Sequence, residues 1–179
     1  MKSKLFSILV LCLGASSLFT GEQEAKGPFT STTIDFGIVV SDIEASAAFY
    51  GKTLGMQELE GFHVDAELCT EAGLTNHQPL DVRVFVLGQG ERATKLKLMQ
   101  VEGVESKPGD HRFIHSQLGL SYLTFYVRNL KDCMTRFEKA GVMPVAKSPV
   151  ALGESDQAPR LLLVRDPDGN LLELIGPLH

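Results

Sequence analysis

The chain has 179 residues, 44% hydrophobic and 22% charged, with a net charge of −5 at neutral pH. This is an ordinary globular balance and enough chain for one domain or two very small ones. A mildly acidic sequence without a basic run carries no electrostatic footprint for nucleic acid, so that class of partner is set aside.

The N-terminus reads as a targeting segment. Lys2 and Lys4 form a basic start, Leu5 to Leu13 is apolar, and Gly14-Ala15-Ser16-Ser17 supplies small residues for cleavage. The apolar run is too short to span a bilayer comfortably, which favours a signal peptide over about residues 1–20 against a retained anchor. The mature chain is therefore expected to be exported, periplasmic or extracellular, with no stable membrane span. Leu11 precedes Cys12 inside the apolar run, so Cys12 is a poor lipoprotein cysteine. The remaining cysteines, Cys69 and Cys133, make no disulfide framework and are not at metal spacing.

Residues 21–31 are polar, contain Gly27-Pro28 and read as a flexible lead. Thr32 to Val40 is rich in β-formers and predicts a first strand. Asp42 suits a helix N-cap, Ile43, Ala47, Tyr50 and Leu54 recur at helical spacing, and Gly55 stops the helix. Met56 to Phe62 predicts a second strand. Val64 to Pro79 is irregular, with a short helix or a loop over Glu67 to Gly73. Val82, Val84 and Val86 alternate with Arg83 and Phe85 in a third strand. Leu96, Leu98 and Gln100 alternate with Lys95, Lys97 and Met99 in a fourth. A charged, Gly/Pro-containing connector occupies 102–118. The pattern then recurs: a strand over Leu120 to Val127, a cap at Asn129, a helix carrying Leu130, Met134 and Phe137, a stop at Gly141 and a strand over Val142 to Val145. The chain ends on Leu161–Arg165 and Leu171–Ile175, two strands around Asp166-Pro167-Asp168-Gly169-Asn170, where Pro167 presets φ and Gly169 supplies the positive φ of a tight reversal.

The same interval separates Asp42 from Asn129 and Tyr50 from Phe137. A βαβββ unit is thus written twice, module one over about 32–101 and module two over about 119–177. Two such units side by side predict an α+β fold, a curved sheet with helices outside and a cleft inside. In the last strand Leu171, Glu173 and Ile175 share one face and Leu172 and Leu174 the other. A carboxylate in so apolar a strand lies at a solvated edge or points into a pocket.

Asp166-Pro167-Asp168-Gly169-Asn170 followed by Glu173-Leu174, with Gly37-Ile38-Val39-Val40-Ser41-Asp42 and Phe49-Tyr50…Leu54-Gly55-Met56 near the front, resembles the vicinal oxygen chelate superfamily. That superfamily holds glyoxalase I, extradiol dioxygenases and bleomycin-resistance proteins. The resemblance covers residues 32–177 and implies two βαβββ modules in a half-open, eight-stranded barrel. It also implies a site on the first and fourth strands of each module, where metal-dependent members hold a divalent ion such as Zn, Ni, Fe or Mn with oxygen and nitrogen ligands. Carried over by the family's landmarks, the four positions are Asp35, Lys97, Tyr122 and Glu173. Asp35 and Tyr122 stand one repeat interval apart, which supports the register. Glu173 matches the ligand type and Asp35 is able to ligate. Lys97 is the departure, since an ammonium has donors and no lone pair.

These residues define two readings. In one, Lys97 replaces the ion, its ammonium lying between Asp35 and Glu173 and keeping both ionised while the Tyr122 hydroxyl completes the cluster. The protein is then an exported, metal-free binder of a small molecule, similar to the bleomycin-resistance branch, where a homodimer is usual. Asp35, Lys97, Tyr122, Arg83 and His115 are its candidate binding residues. In the other reading it is a metal-dependent lyase, isomerase or dioxygenase, with Glu173 and Asp35 as ligands and Glu173 and Tyr122 as catalytic candidates. Arg83 enters the cleft only if the three valines face the helices, and His115 reaches it only from the connector. His63, His77, His111 and His179 read as loop or surface residues.

Overall fold

The computed structural model describes residues 27–89 and 93–179. The expected signal peptide and most of the expected lead lie outside the described residues. Of the unit that ends at Thr32, residues 27–32 are exposed and carry a turn at Gly27-Pro28. The second unit, Thr33–His179, carries the fold.

Its elements run β1 (Phe36–Val39), α1 (Ile43–Ala47), a π-helical continuation (Ala48–Leu54), β2 (Gln57–Val64), α2 (Ala66–Glu71), β3 (Leu80–Val86) and β4 (Lys95–Gln100). The second module has β5 (Tyr122–Tyr126), α3 (Leu130–Lys139), β6 (Val150–Ala151), β7 (Arg160–Arg165) and β8 (Leu171–Gly176). Each module is one mixed four-stranded sheet, in the orders β1-β4-β3-β2 and β5-β8-β7-β6. In both, the first strand lies parallel to the last and the other pairings are antiparallel. The repeated α+β architecture is the one the doubled pattern predicts.

Local chemistry sets the element ends. The Asp42 carboxylate accepts from the backbone N–H groups of Glu44 and Ala45 at 2.9 Å, and Asn129 accepts from Lys131 at 2.9 Å, so both caps satisfy orphan amides of the first turn. Past Ala47 the first helix widens, and Gly55, at φ +95°, closes it with an N–H bond to the Tyr50 carbonyl at 3.2 Å. The neighbouring aromatics Phe49 and Tyr50 are both buried there, packed edge to face at 5.1 Å. Phe49 also stacks on Phe137 of α3, with ring centroids 6.2 Å apart. One apolar core joins these rings to alternate residues of both sheets, among them Leu96, Leu98, Phe125, Leu162, Leu172 and Leu174. The helices α1 and α3 therefore share a layer over one face of each sheet, while α2 packs on the other face of the first sheet, against Val82 and Val84.

The strand expected over Val142 to Val145 is absent. Pro144 has no N–H to give a ladder, and Ala146 takes a positive φ of 55° that turns the chain. A single backbone bond, Val145 N–H to the Leu163 carbonyl at 2.8 Å, is what remains of pairing there. The edge strand forms later, at Val150–Ala151. Cys69 and Cys133 are free thiols, with Cys69 buried under α2.

The terminal hairpin is held by Asp166, which is 5% exposed. Its carboxylate accepts from the backbone N–H of Asp168 at 3.0 Å, from the Asn170 N–H at 2.8 Å and from Asn170 Nδ2 at 2.9 Å. A fourth bond comes from the other module, where the fully buried Tyr50 hydroxyl donates at 2.8 Å. Burial, and then the adjacent Asp166 carboxylate, push the Tyr50 phenol well above its ordinary range, so it is a permanent donor. Tyr50→Phe is expected to lower the unfolding free energy by about 1.5–3 kcal/mol, the span for a hydrogen bond to a charged group, read as a shift of the urea midpoint at unchanged slope.

Candidate functional site

Strand alternation divides each sheet into a face under α1 and α3 and an opposite face, open except where α2 covers Val82 and Val84 of β3. On β4 the buried Leu96 and Leu98 face the helices, which puts Lys95, Lys97 and Met99 on the open face. On β8 the buried Leu172 and Leu174 do the same for Leu171, Glu173 and Ile175. β1 and β5 lie beside these strands, with Gly37 opposite Lys97 and Thr124 opposite Glu173. The four positions expected from sequence therefore all belong to the open face, Asp35 and Tyr122 at the edge strands β1 and β5 and Lys97 and Glu173 on the neighbouring β4 and β8.

They form two half-sites, not one cluster. Lys97 Nζ lies 3.0 Å from Asp35 Oδ2. The second Asp35 oxygen accepts the Lys95 backbone N–H at 3.1 Å. Burial by itself would raise the Asp35 pKa, but the hydrogen bond from Lys97, the Lys95 N–H and the two ammonium charges outweigh it, so the carboxyl titrates below its ordinary value. Glu173 is bonded instead by Thr124, whose hydroxyl donates to Oε2 at 2.8 Å. The expected placement of Lys97 between Asp35 and Glu173 is thus corrected: among the described residues its ion pair is with Asp35 alone. Tyr122 is 47% exposed on the same face and its hydroxyl bonds none of the other three.

The donor set does not fit a metal ion. Its one cationic member already occupies Asp35, and ammonium offers no lone pair. Among the described residues no group of three or more His, Cys, Asp or Glu side chains is placed to hold an ion.

Two further candidates stand elsewhere. Arg83 shares its face with Phe85, 5.9 Å from that ring, on the helix-covered side. There its guanidinium donates to both Glu58 oxygens at 2.7 and 2.9 Å and to Glu44 of α1 at 2.8 Å. The valines face the other way: Val82 and Val84 pack against Cys69 of α2. Arg83 is consequently part of the scaffold, not of the cleft. His115 is exposed in the connector, stacked on Phe113 with ring centroids 5.6 Å apart, and no hydrogen bond joins it to Asp35, Lys97, Tyr122 or Glu173. Of the other histidines, His63 pairs with Asp81 at 2.7 Å, His77 with Thr70 at 3.1 Å and His111 with Gln117 at 3.5 Å.

Thr124 and Tyr126 are additions that the residue pattern had not singled out. Both share the open face with Tyr122, and Tyr126 is 83% exposed. The available signal was the period of two: a residue two positions beyond Tyr122 and in register with Glu173 has to meet that carboxylate.

The profile of the Glyoxalase/Bleomycin resistance protein/Dioxygenase superfamily matches residues 32–174. Among curated proteins none matches the sequence. A glyoxalase family protein from Bacillus cereus superimposes with a TM-score of 0.66 at 19% identity, covering 87% of this chain and all (100%) of that one. A glyoxylase/bleomycin resistance protein/dioxygenase domain from Frankia sp. gives 0.57 at 18% identity, over 86% and 93% of the two chains. An integron cassette protein from the mobile metagenome of V. cholerae gives 0.51 at 26% identity, over 82% and 94%.

The ion pair has a pH signature. Asp35 has a folded pKa below its unfolded value, so its contribution is present above about pH 4, the ordinary Asp range, and is lost as pH falls through the lower folded value. In Lys97→Met the Asp35 carboxyl is expected to titrate at higher pH than in the wild type, as followed by its side-chain carbon resonance. An unchanged titration would show that Lys97 does not hold it.

Proposed function

The chain belongs to the glyoxalase/bleomycin resistance protein/dioxygenase superfamily, and from that premise we propose that it is an exported, metal-independent binder of a small molecule on the open face of its paired sheets. The observation that carries this reading is the 3.0 Å ion pair between Lys97 and Asp35 at two positions where metal-dependent members place ligands. An ammonium in that place repels a divalent cation and removes Asp35 from its reach.

The ligand class follows from what the face offers. One ammonium and two carboxylates leave it net negative, and the chain as a whole carries −5. The rings of Tyr122 and Tyr126 stand exposed beside them, available to stack on a flat group or to face a cation. Glu173, already oriented by Thr124, keeps lone pairs for a ligand donor. A cationic aromatic compound uses all three features. Export accounts for the placement of such a binder outside the cell and rests on the basic, apolar and small-residue run from Lys2 to Ser17.

Metal analysis separates this reading from the metal-dependent enzyme. The wild type is expected to show no stoichiometric Zn, Ni, Fe or Mn after growth in supplemented medium, while Lys97→Glu gains a metal and a higher Tm in its presence. About one metal per wild-type chain would move the enzyme to first place. For the binding face, benzyltrimethylammonium is the probe: Glu173→Gln is expected to weaken it about tenfold, or ~1.4 kcal/mol by calorimetry. Equal affinity of the two proteins would remove Glu173 from the site. In cell fractionation the mature chain is expected in the exported fraction, with its N-terminus downstream of the Gly14–Ser17 stretch; an intact Met1 would overturn export.

A further inference from the structure

Two free sheet edges border one apolar cleft. The Val40 N–H bonds the Met99 carbonyl at 2.9 Å, so the even-numbered residues of β1 serve the β4 ladder. The amide and carbonyl groups of Gly37 and Val39 then point away from β4. In module two the Val127 N–H bonds the Ile175 carbonyl at 2.9 Å, so odd-numbered residues serve β8, and Tyr122 and Thr124 turn their main-chain groups outward. β1 and β5 are each the last strand of their sheet, and they do not pair with one another.

A cavity of about 260 Å³ lies along this seam, lined by Phe36, Gly37 and Val39 from one edge and Leu120, Tyr122 and Leu171 from the other. A second, of about 180 Å³, continues it toward Met56 and Phe125 and shares Phe36, Tyr122 and Leu123 with the first. Neither is lined by Asp35, Lys97 or Glu173. The seam is therefore set apart from Asp35, Lys97 and Glu173 but borders the open face at Tyr122 and Thr124; its walls are mostly apolar, and it is supplied with main-chain donors and acceptors at strand spacing.

We infer that the seam between β1 and β5 binds a short, extended, apolar ligand carrying peptide-like amides. Its amide groups pair with the outward main-chain groups of Gly37 and Val39 or of Tyr122 and Thr124, as an added strand does at any open sheet edge. Its side groups lie against Phe36, Leu120 and Leu123. A blocked tripeptide spans about 10 Å at the strand rise, within the roughly 13 Å of a four-residue edge. The two compartments together are of the size in which small ligands are held, about 300–1,000 Å³.

The test uses acetyl-trivaline amide and its N-methylated analogue on the full mature protein. The unmodified peptide is expected to bind, to shift the amide resonances of Gly37, Val39, Tyr122 or Thr124, and to lose at least about tenfold in affinity when its N–H groups are methylated. Val39→Pro removes an outward N–H that the β1–β4 ladder does not use, and is expected to weaken the peptide while leaving Tm nearly unchanged. Lys97→Met is expected to leave peptide affinity intact, which distinguishes this site from the open-face reading. The inference is overturned if the peptide does not bind at millimolar concentration, if the methylated analogue binds as well, or if the shifts fall on residues around Lys97 and Glu173 alone.

Discussion

The Tyr50–Asp166 bond is the joint on which the two modules depend. A buried carboxylate is tolerated only when its lone pairs are filled, and three of the four bonds to Asp166 come from its own turn. The fourth comes from the first module's helix and commits that helix to the terminal hairpin. Around it the contact is apolar and close: Phe49 on Phe137, and the Arg136 guanidinium, seated beside Gly55, donating to the Lys52 carbonyl at 2.8 Å. Gly55 serves twice, since its positive φ ends the helix and a Cβ there would meet Arg136 Nη1 at 2.7 Å. With the helix layer fixed in this way, the strands beneath it are fixed too, and the open face inherits its geometry from a contact on the opposite side.

The repeat makes the two halves of the site comparable, and the comparison explains their difference. Gly37 opposite Lys97 in module one corresponds to Thr124 opposite Glu173 in module two. In module two the neighbouring side chain reaches across and donates to the carboxylate. In module one there is no side chain at that place, and the Lys97 ammonium meets Asp35, two residues before Gly37, instead. A Cβ at Gly37 would stand 3.0 Å from the Met99 methyl, which helps to keep the position small. Each fourth-strand charge thus finds a partner within its own module, and that leaves the Tyr122 hydroxyl and the outer lone pairs of Glu173 free for something else.

Much of this was legible from period and spacing. The caps at Asp42 and Asn129, the helix stops and the hairpin turn are local choices that a few residues settle, and the faces of Lys97 and Glu173 follow from alternation in strands with one buried side. The face of Arg83 stayed conditional in the sequence because β3 is covered on both sides, by the main helices at Phe85 and by α2 at Val82 and Val84. A strand buried twice loses its amphipathic signal, and the segment that covers it, Val64 to Pro79, had no clear periodicity of its own. The partner of Lys97 was misread for another reason: the choice between Asp35 and Glu173 turns on the separation of two modules, a long-range distance that no local pattern encodes.

That separation also bears on a hazard common to sheet proteins. An open edge strand invites pairing with another chain, and among the described residues there are four, two at the outer ends and two at the seam. At one outer end the edge strand is only two residues long, at Val150–Ala151, and at the other β2 breaks register between Leu59 and Phe62. Both devices blunt an edge. β1 and β5 carry neither. They are short but regular, and their outward amides are aligned at even spacing beside an apolar cavity. Both border the same cavity, which lies between them. An arrangement that blunts its outer edges and leaves its inner ones regular keeps a set of aligned donors and acceptors beside an apolar cavity, as strand addition requires.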